Sequence, residues 1–110
     1  MKNTTKSTSR MSKDAAPPLQ IEGDMTIYQA DELKQKLIGT LAGPAAAVQV
    51  DLHKVGEIDT AGVQLLIATK HATAALGKTL NVTACSKAVT EVLELFGLVS
   101  FLSDPAAANA

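Results

Sequence analysis

Ala47-Val48-Gln49-Val50-Asp51-Leu52-His53-Lys54-Val55-Gly56-Glu57-Ile58-Asp59-Thr60-Ala61-Gly62-Val63 is the stretch whose reading decides the fold. Ala47 to Leu52, centred on Val48 and Val50, is nearly unbroken in apolarity and reads as a strand covered on both faces. His53 to Ile58 reads as a loop. From Thr60 the pattern changes to a helical period that runs to Leu76, where Gly77 closes it. On that helix Val63 and Leu66 share one apolar face. Thr60, Gln64, Ile67 or Ala68, and His71 fall on the opposite, more polar stripe.

Working outward, a second helix precedes the strand, from about Gln29 to Leu41. Ala30, Leu33, Leu37 and Leu41 mark its buried side, and Asp31 and Glu32 in its first turn suit the helix dipole. Gly43-Pro44 stops it. Before it, Leu19 and Ile21, then Gly23-Asp24, then Met25 and Ile27 read as two short strands about a tight turn. Downstream, Leu80 to Ala84 alternates as a strand, with Leu80 and Val82 on one face. Ser86 is a good N-cap for a third helix. Val89, Val92, Leu93 and Phe96 form its core face, Gly97 ends it, and a terminal apolar segment holds Leu98, Val99, Phe101 and Leu102. The order β-β-α-β-α-β-α demands right-handed parallel crossovers. The fold class is α/β with a mixed β-sheet.

The chain of 110 residues has one domain's length, and 46% hydrophobic residues suffice for one core. Only 3% are aromatic, so that core is built from Leu, Val, Ile and Ala. A net charge of −1 gives no field that draws nucleic acid. No apolar run reaches the roughly 20 residues that cross a bilayer, so no membrane insertion is expected. The first sixteen residues carry four cations against one acid, and the rest six Lys against ten acids. Residues 1–18, rich in Ser, Thr and Lys and ending in Pro17-Pro18, are expected to be a disordered tail. The folded unit is expected over residues 19–102, and residues 103–110, opening on Asp104-Pro105 and rich in Ala, as a flexible tail. With no apolar signal core, the expected compartment is the cytoplasm.

Reactive chemistry is sparse. One cysteine, Cys85, excludes an internal disulfide and a multi-cysteine metal site, and two histidines make a histidine metal centre a poor fit. His71 lies about eleven residues into its helix, roughly 16 Å along the axis, so it assembles no nucleophilic pair with Cys85. No glycine-rich phosphate loop is present, and no cofactor is expected. What remains is the junction Ile58-Asp59-Thr60-Ala61-Gly62-Val63, at the carboxyl end of a central strand, where open α/β sheets gather function. Two readings stand. Asp59 or Thr60 is no more than a cap; or Thr60, heading an exposed stripe, is a contact surface open to modification. Gly62 within the first helical turn costs about 1 kcal/mol relative to Ala, so a strand or a partner must come close to it.

The run Val50-Asp51-Leu52, Val55 and Ile58-Asp59-Thr60-Ala61-Gly62-Val63-Gln64-Leu65-Leu66 resembles the signature of STAS domains, the sulfate transporter and anti-sigma factor antagonist domains. Gly77-Lys78, Leu80, and Val89 to Leu98 with Leu93, Phe96 and Gly97 extend the likeness over residues 19–102. The resemblance implies a mixed sheet of four to five strands with three to four helices, predominantly on one side. It implies a non-enzymatic regulatory module that docks a protein partner. In bacterial anti-sigma factor antagonists the hydroxyl residue after the Asp is phosphorylated by a partner kinase of the GHKL class that is also the anti-sigma factor. The matching residue is Thr60, with Asp59, Ala61 and Gly62 completing the motif and Gln64, Ile67 and His71 continuing the contact stripe. Thr60-Ala61 stands where many such switches have Ser-Ser. A Thr here also resembles the small STAS subunit of phospholipid-trafficking ABC transporters, which binds the ATPase subunit, and chemotaxis-associated STAS adaptors look similar.

Overall fold

A computed structural model describes residues 18–103. Three strands, β1 (Leu19–Met25), β2 (Ala47–Ile58) and β3 (Thr79–Cys85), form one sheet in the order β1-β2-β3, and both pairs are parallel. Helix α1 (Ala30–Leu41) joins β1 to β2, and α2 (Thr60–Ala75) joins β2 to β3. Two right-handed crossovers stepping the same way across a sheet place both helices on one face, and α1 and α2 pack on each other there. Helix α3 (Lys87–Leu95) packs chiefly against β2, and the short α4 (Val99–Ser103) reaches β3.

One core holds Ile21, Met25, Val48, Val50, Leu52, Val55 and Leu80 of the sheet. Leu33, Leu37 and Leu41 of α1, Leu66 of α2, Val89 and Leu93 of α3, and Leu102 of α4 complete it. The α1 and α3 faces expected from the spacing are thus buried at Leu33, Leu37, Leu41, Val89 and Leu93. Ser86 caps α3 as expected, its hydroxyl accepting from the Val89 N–H at 3.2 Å. Lys78 reaches back from the start of β3 to α1, where its ammonium donates to the Leu41 carbonyl at 2.7 Å and to that of Gly43. A cation there serves the last carbonyl of the helix and one just beyond it.

Several expectations are corrected. The described residues hold three parallel strands rather than a mixed sheet of four to five. Leu19 to Ile27 is not a hairpin. Gly23, with φ +90°, bends a single strand that stays paired to β2, with irregularities between Gln20 and Glu22 and between Gly23 and Met25. The segment His53–Ile58 is strand, not loop, because Lys54, Val55 and Ile58 pair with Glu22, Gly23 and Met25. Among the described residues, the central strand buries its Val48, Val50 and Leu52 face, and its other face is polar and half-buried. Gln49 pairs with Asn81 and Asp51 with Gln20, and these polar residues lie on the side away from Val48, Val50 and Leu52. There Gln20 donates to Asp51, and His53 Nδ1 lies 2.7 Å from Asp51 Oδ1. Phe96 is 51% exposed, since α3 ends at Leu95 and Phe96 sits at its C-cap. Ser103 belongs to α4 rather than to a tail. Of the two tails expected from the sequence, residues 1–17 and 104–110 lie outside the described residues.

Candidate functional site

The site is built where β2 turns into α2. Asp59 has extended backbone geometry, φ −117° and ψ −171°, and is the N-cap of α2. Its carboxylate is divided between two elements. Oδ1 accepts from the Gly62 N–H at 3.1 Å, closing the first turn of α2. Oδ2 accepts from the Ile27 N–H at 3.0 Å, in the segment that leaves β1. The Asp59 N–H donates to the Met25 carbonyl at 3.2 Å. These donors, the Ile27 N–H foremost, hold the Asp59 carboxyl below the usual carboxylate range.

Gly62 lies beneath this junction and is buried. A Cβ on it would stand 2.8 Å from Ile58 Cγ1 and 3.0 Å from Met25 Cβ, and nearer still to the Met25 carbonyl oxygen. The close approach that a glycine in a helix's first turn implies is therefore made by β1, within the chain. With Asp59 engaged and Gly62 buried, the motif residue left to solvent is Thr60, which is exposed as the first residue of α2.

Beside Thr60 opens a groove of about 620 Å³ between α1 and α2. Ile27, Leu37, Ile38, Ala61, Leu65 and Ala68 line it, with Gln64, Asp31 and Lys34 also contributing. Small residues on α2 leave the space, since Ala61, Ala68 and Ala72 face α1 without filling the gap. On the other side of the junction a hollow of about 370 Å³ is lined by Thr26, Gly56, Glu57, Asp59 and Glu91, among others.

The structure brings Asp59, Thr60, Ala61, Gly62 and Gln64 together at the amino end of α2. Ile67, half-buried, and His71, exposed, continue the same helix face away from Thr60. His71 stacks at a tilt on Phe101 of α4, with ring centroids 5.5 Å apart. Opposite them, Val63 and Leu66 are buried as expected. Thr69 and Thr73, for which no burial was expected, are buried too, and their hydroxyls donate to the carbonyls of Leu65 and Thr69 four residues earlier. Sequence reasoning missed Ile27, which lines the groove and is 64% exposed, and its neighbour in the chain, Tyr28, which is 90% exposed. Ile27 reads as an inward strand residue, and nothing local in the sequence signals otherwise. Burial pushes the Cys85 thiol up, away from the reactive thiolate. Among the described residues no three His, Cys, Asp or Glu side chains gather as metal ligands, and no helix is long and apolar enough to cross a membrane.

A family model described as "Mlab, STAS domain" matches residues 9–103. Three solved structures share the fold. A sulfate transporter family protein from Wolinella succinogenes superposes with a TM-score of 0.66 at 22% identity, over 79% of this chain and 70% of its own. The anti-sigma factor antagonist SpoIIAA in its unphosphorylated form gives 0.63 at 15% identity, over 78% and 75%. The STAS domain of a SulP transporter from Vibrio cholerae gives 0.60 at 16% identity, over 87% and 78%. No curated protein matches the chain in sequence.

Proposed function

The chain belongs to the STAS family, and on that premise we propose that it is a non-enzymatic docking module for a kinase or ATPase partner, switched at Thr60. The observation that carries this reading is the exposed Thr60 hydroxyl at the head of α2, next to an apolar groove, while Asp59 and Gly62 are committed to the fold. The partner seats on Thr60, Ala61 and Gln64 and on the groove they edge. In the modification step Thr60 Oγ1 attacks the γ-phosphorus of ATP held by the partner. The bond to ADP breaks, and the hydroxyl proton passes to a base of the partner. The product carries about −1.5 to −2 charges at neutral pH. The amino end of α2 tolerates that charge within the monomer, whereas an interface fitted to a neutral hydroxyl has to desolvate it.

A second reading is favoured by the "Mlab" description of the matching family model. In it the chain is a constitutive subunit of a phospholipid-trafficking ABC transporter, and Thr60 is a packing contact against the ATPase subunit. The two are separated by recovering the partner with the full chain and incubating the complex with γ-labelled ATP. Label on Thr60 of the wild type and none on Thr60→Val supports the switch. A stable complex that never transfers label supports the transporter subunit. A complex indifferent to both Thr60→Val and Thr60→Glu refutes docking at Thr60.

A further inference from the structure

We propose that the Asp59 carboxylate is a relay. It holds the exposed Ile27–Tyr28 turn in one place beside Thr60, and a negative charge placed on Thr60 releases that turn. The inference rests on the reading of Thr60 as the contact point, and it adds Ile27 and Tyr28 to the docking surface as its apolar half.

The turn is built from residues 26–29. The Gln29 N–H donates to the Thr26 carbonyl at 3.0 Å. The Gln29 side-chain oxygen accepts from the Thr26 N–H at 3.2 Å and from the Thr26 hydroxyl. The Thr26 hydroxyl oxygen in turn accepts from the Tyr28 N–H at 3.3 Å. The result is an ordered turn that presents two large side chains to water, Ile27 at 64% and Tyr28 at 90% exposure. Ile27 also lines the groove that Ala61 and Gln64 edge, so the turn and the Thr60 surface are continuous. An aromatic carried on an ordered turn next to an apolar residue is the type of group that anchors protein interfaces, because a tyrosine, with two side-chain torsions, loses little freedom on burial. The partner surface that fits it is an apolar recess that takes the Tyr28 ring.

Local bonds shape the turn, and Asp59 ties it to α2. One carboxylate serves both elements, Oδ2 for the Ile27 N–H and Oδ1 for the Gly62 N–H. An anion on the adjacent Thr60 acts on both. It competes for the N–H donors at the amino end of α2, which favour negative charge, and it repels the Asp59 carboxylate one residue away. Displacing Asp59 cuts the bond to Ile27 while leaving the core beneath untouched.

The isolated full chain is enough for the test, since Tyr28 is its only tyrosine and it has no tryptophan. Tyrosine fluorescence anisotropy therefore reports Tyr28 alone, and amide hydrogen exchange reads Ile27. Thr60→Glu should speed Ile27 exchange about tenfold, the order expected for losing a bond to a charged group, and lower the anisotropy. Thr60→Gln, of the same size without the charge, should do neither. Asp59→Ala, which removes both acceptor oxygens, should release Ile27 by itself. In all three variants the Leu66 amide, within α2, should keep its wild-type protection. Ile27 exchange in Thr60→Glu equal to that in Thr60→Gln, or full Ile27 protection in Asp59→Ala, overturns the relay. Because no partner is present, that failure leaves the docking role of Thr60 to its own test.

Discussion

Gly62→Ala should destabilise the fold even though alanine is the better helix former. The added methyl would stand 2.8 Å from Ile58 Cγ1, and closer to the carbonyl oxygen of Met25. Ile58 can yield by rotating. The carbonyl cannot, because it accepts the Asp59 N–H at 3.2 Å and belongs to the last residue of β1. Relief therefore moves α2 away from β1 and weakens that hydrogen bond. Overpacking of this kind costs about 1–3 kcal/mol, and a weakened backbone bond about 1 kcal/mol. The gain in helix propensity returns about 1 kcal/mol, so the net loss is about 1–3 kcal/mol. Gly39→Ala is the control. It lies within α1 with nothing inside 4 Å of its added Cβ, so it should gain up to about 1 kcal/mol. Urea unfolding of the two variants and the wild type, at equal slopes, reads both. A Gly62→Ala chain as stable as the wild type would refute the account of how β1 and α2 meet.

Leu93→Ala should lose about 2–5 kcal/mol in the same assay because Leu93 is 4% exposed in the core, whereas Phe96→Ala should change stability by no more than about 1 kcal/mol. Lys78→Met keeps the stem and removes the donor to Leu41 and Gly43, so thermal unfolding should report a loss of about 1–3 kcal/mol. A loss under about 0.5 kcal/mol would show that water replaces the cap. The folded state holds the Asp59 carboxyl below its unfolded value, near 3.9. Its contribution is therefore present above that pH and disappears as pH falls through the folded value. Between pH 7 and pH 3 the urea midpoint of Asp59→Asn should fall less than that of the wild type, and equal falls would contradict the assignment.

The helical half of the molecule was legible because its signals are local. Asp59 capping α2, the split between Thr60 with Gln64 and Val63 with Leu66, and the Ser86 cap follow from residue type and a 3.6-residue period. The sheet was less legible because its determinants are distant. Gly23-Asp24 reads as a turn in isolation, yet pairing with Lys54 and Val55 keeps it within a strand. The same pairing makes a strand of His53–Ile58, whose composition reads as loop. The polar face of the sheet was hidden by the apolar neighbours of Gln49 and Asp51. At the site, Thr60 and its motif could be read from the sequence, but the Ile27–Tyr28 turn could not. Its place beside α2 depends on a hydrogen bond between residues 32 apart in the chain.

The central claim is that a partner docks over the uncharged Thr60 side chain and rejects a charge there. Its most direct test is the dissociation constant of the full chain for its purified kinase or ATPase partner, measured by titration calorimetry with Thr60→Val and Thr60→Glu. Val keeps the shape of Thr and should bind within about threefold of the wild type, under 1 kcal/mol. Glu buries an unpaired charge and should weaken binding by about tenfold or more, at least about 1.4 kcal/mol. A Thr60→Glu chain that binds as tightly as the wild type would contradict the claim and place the interface elsewhere.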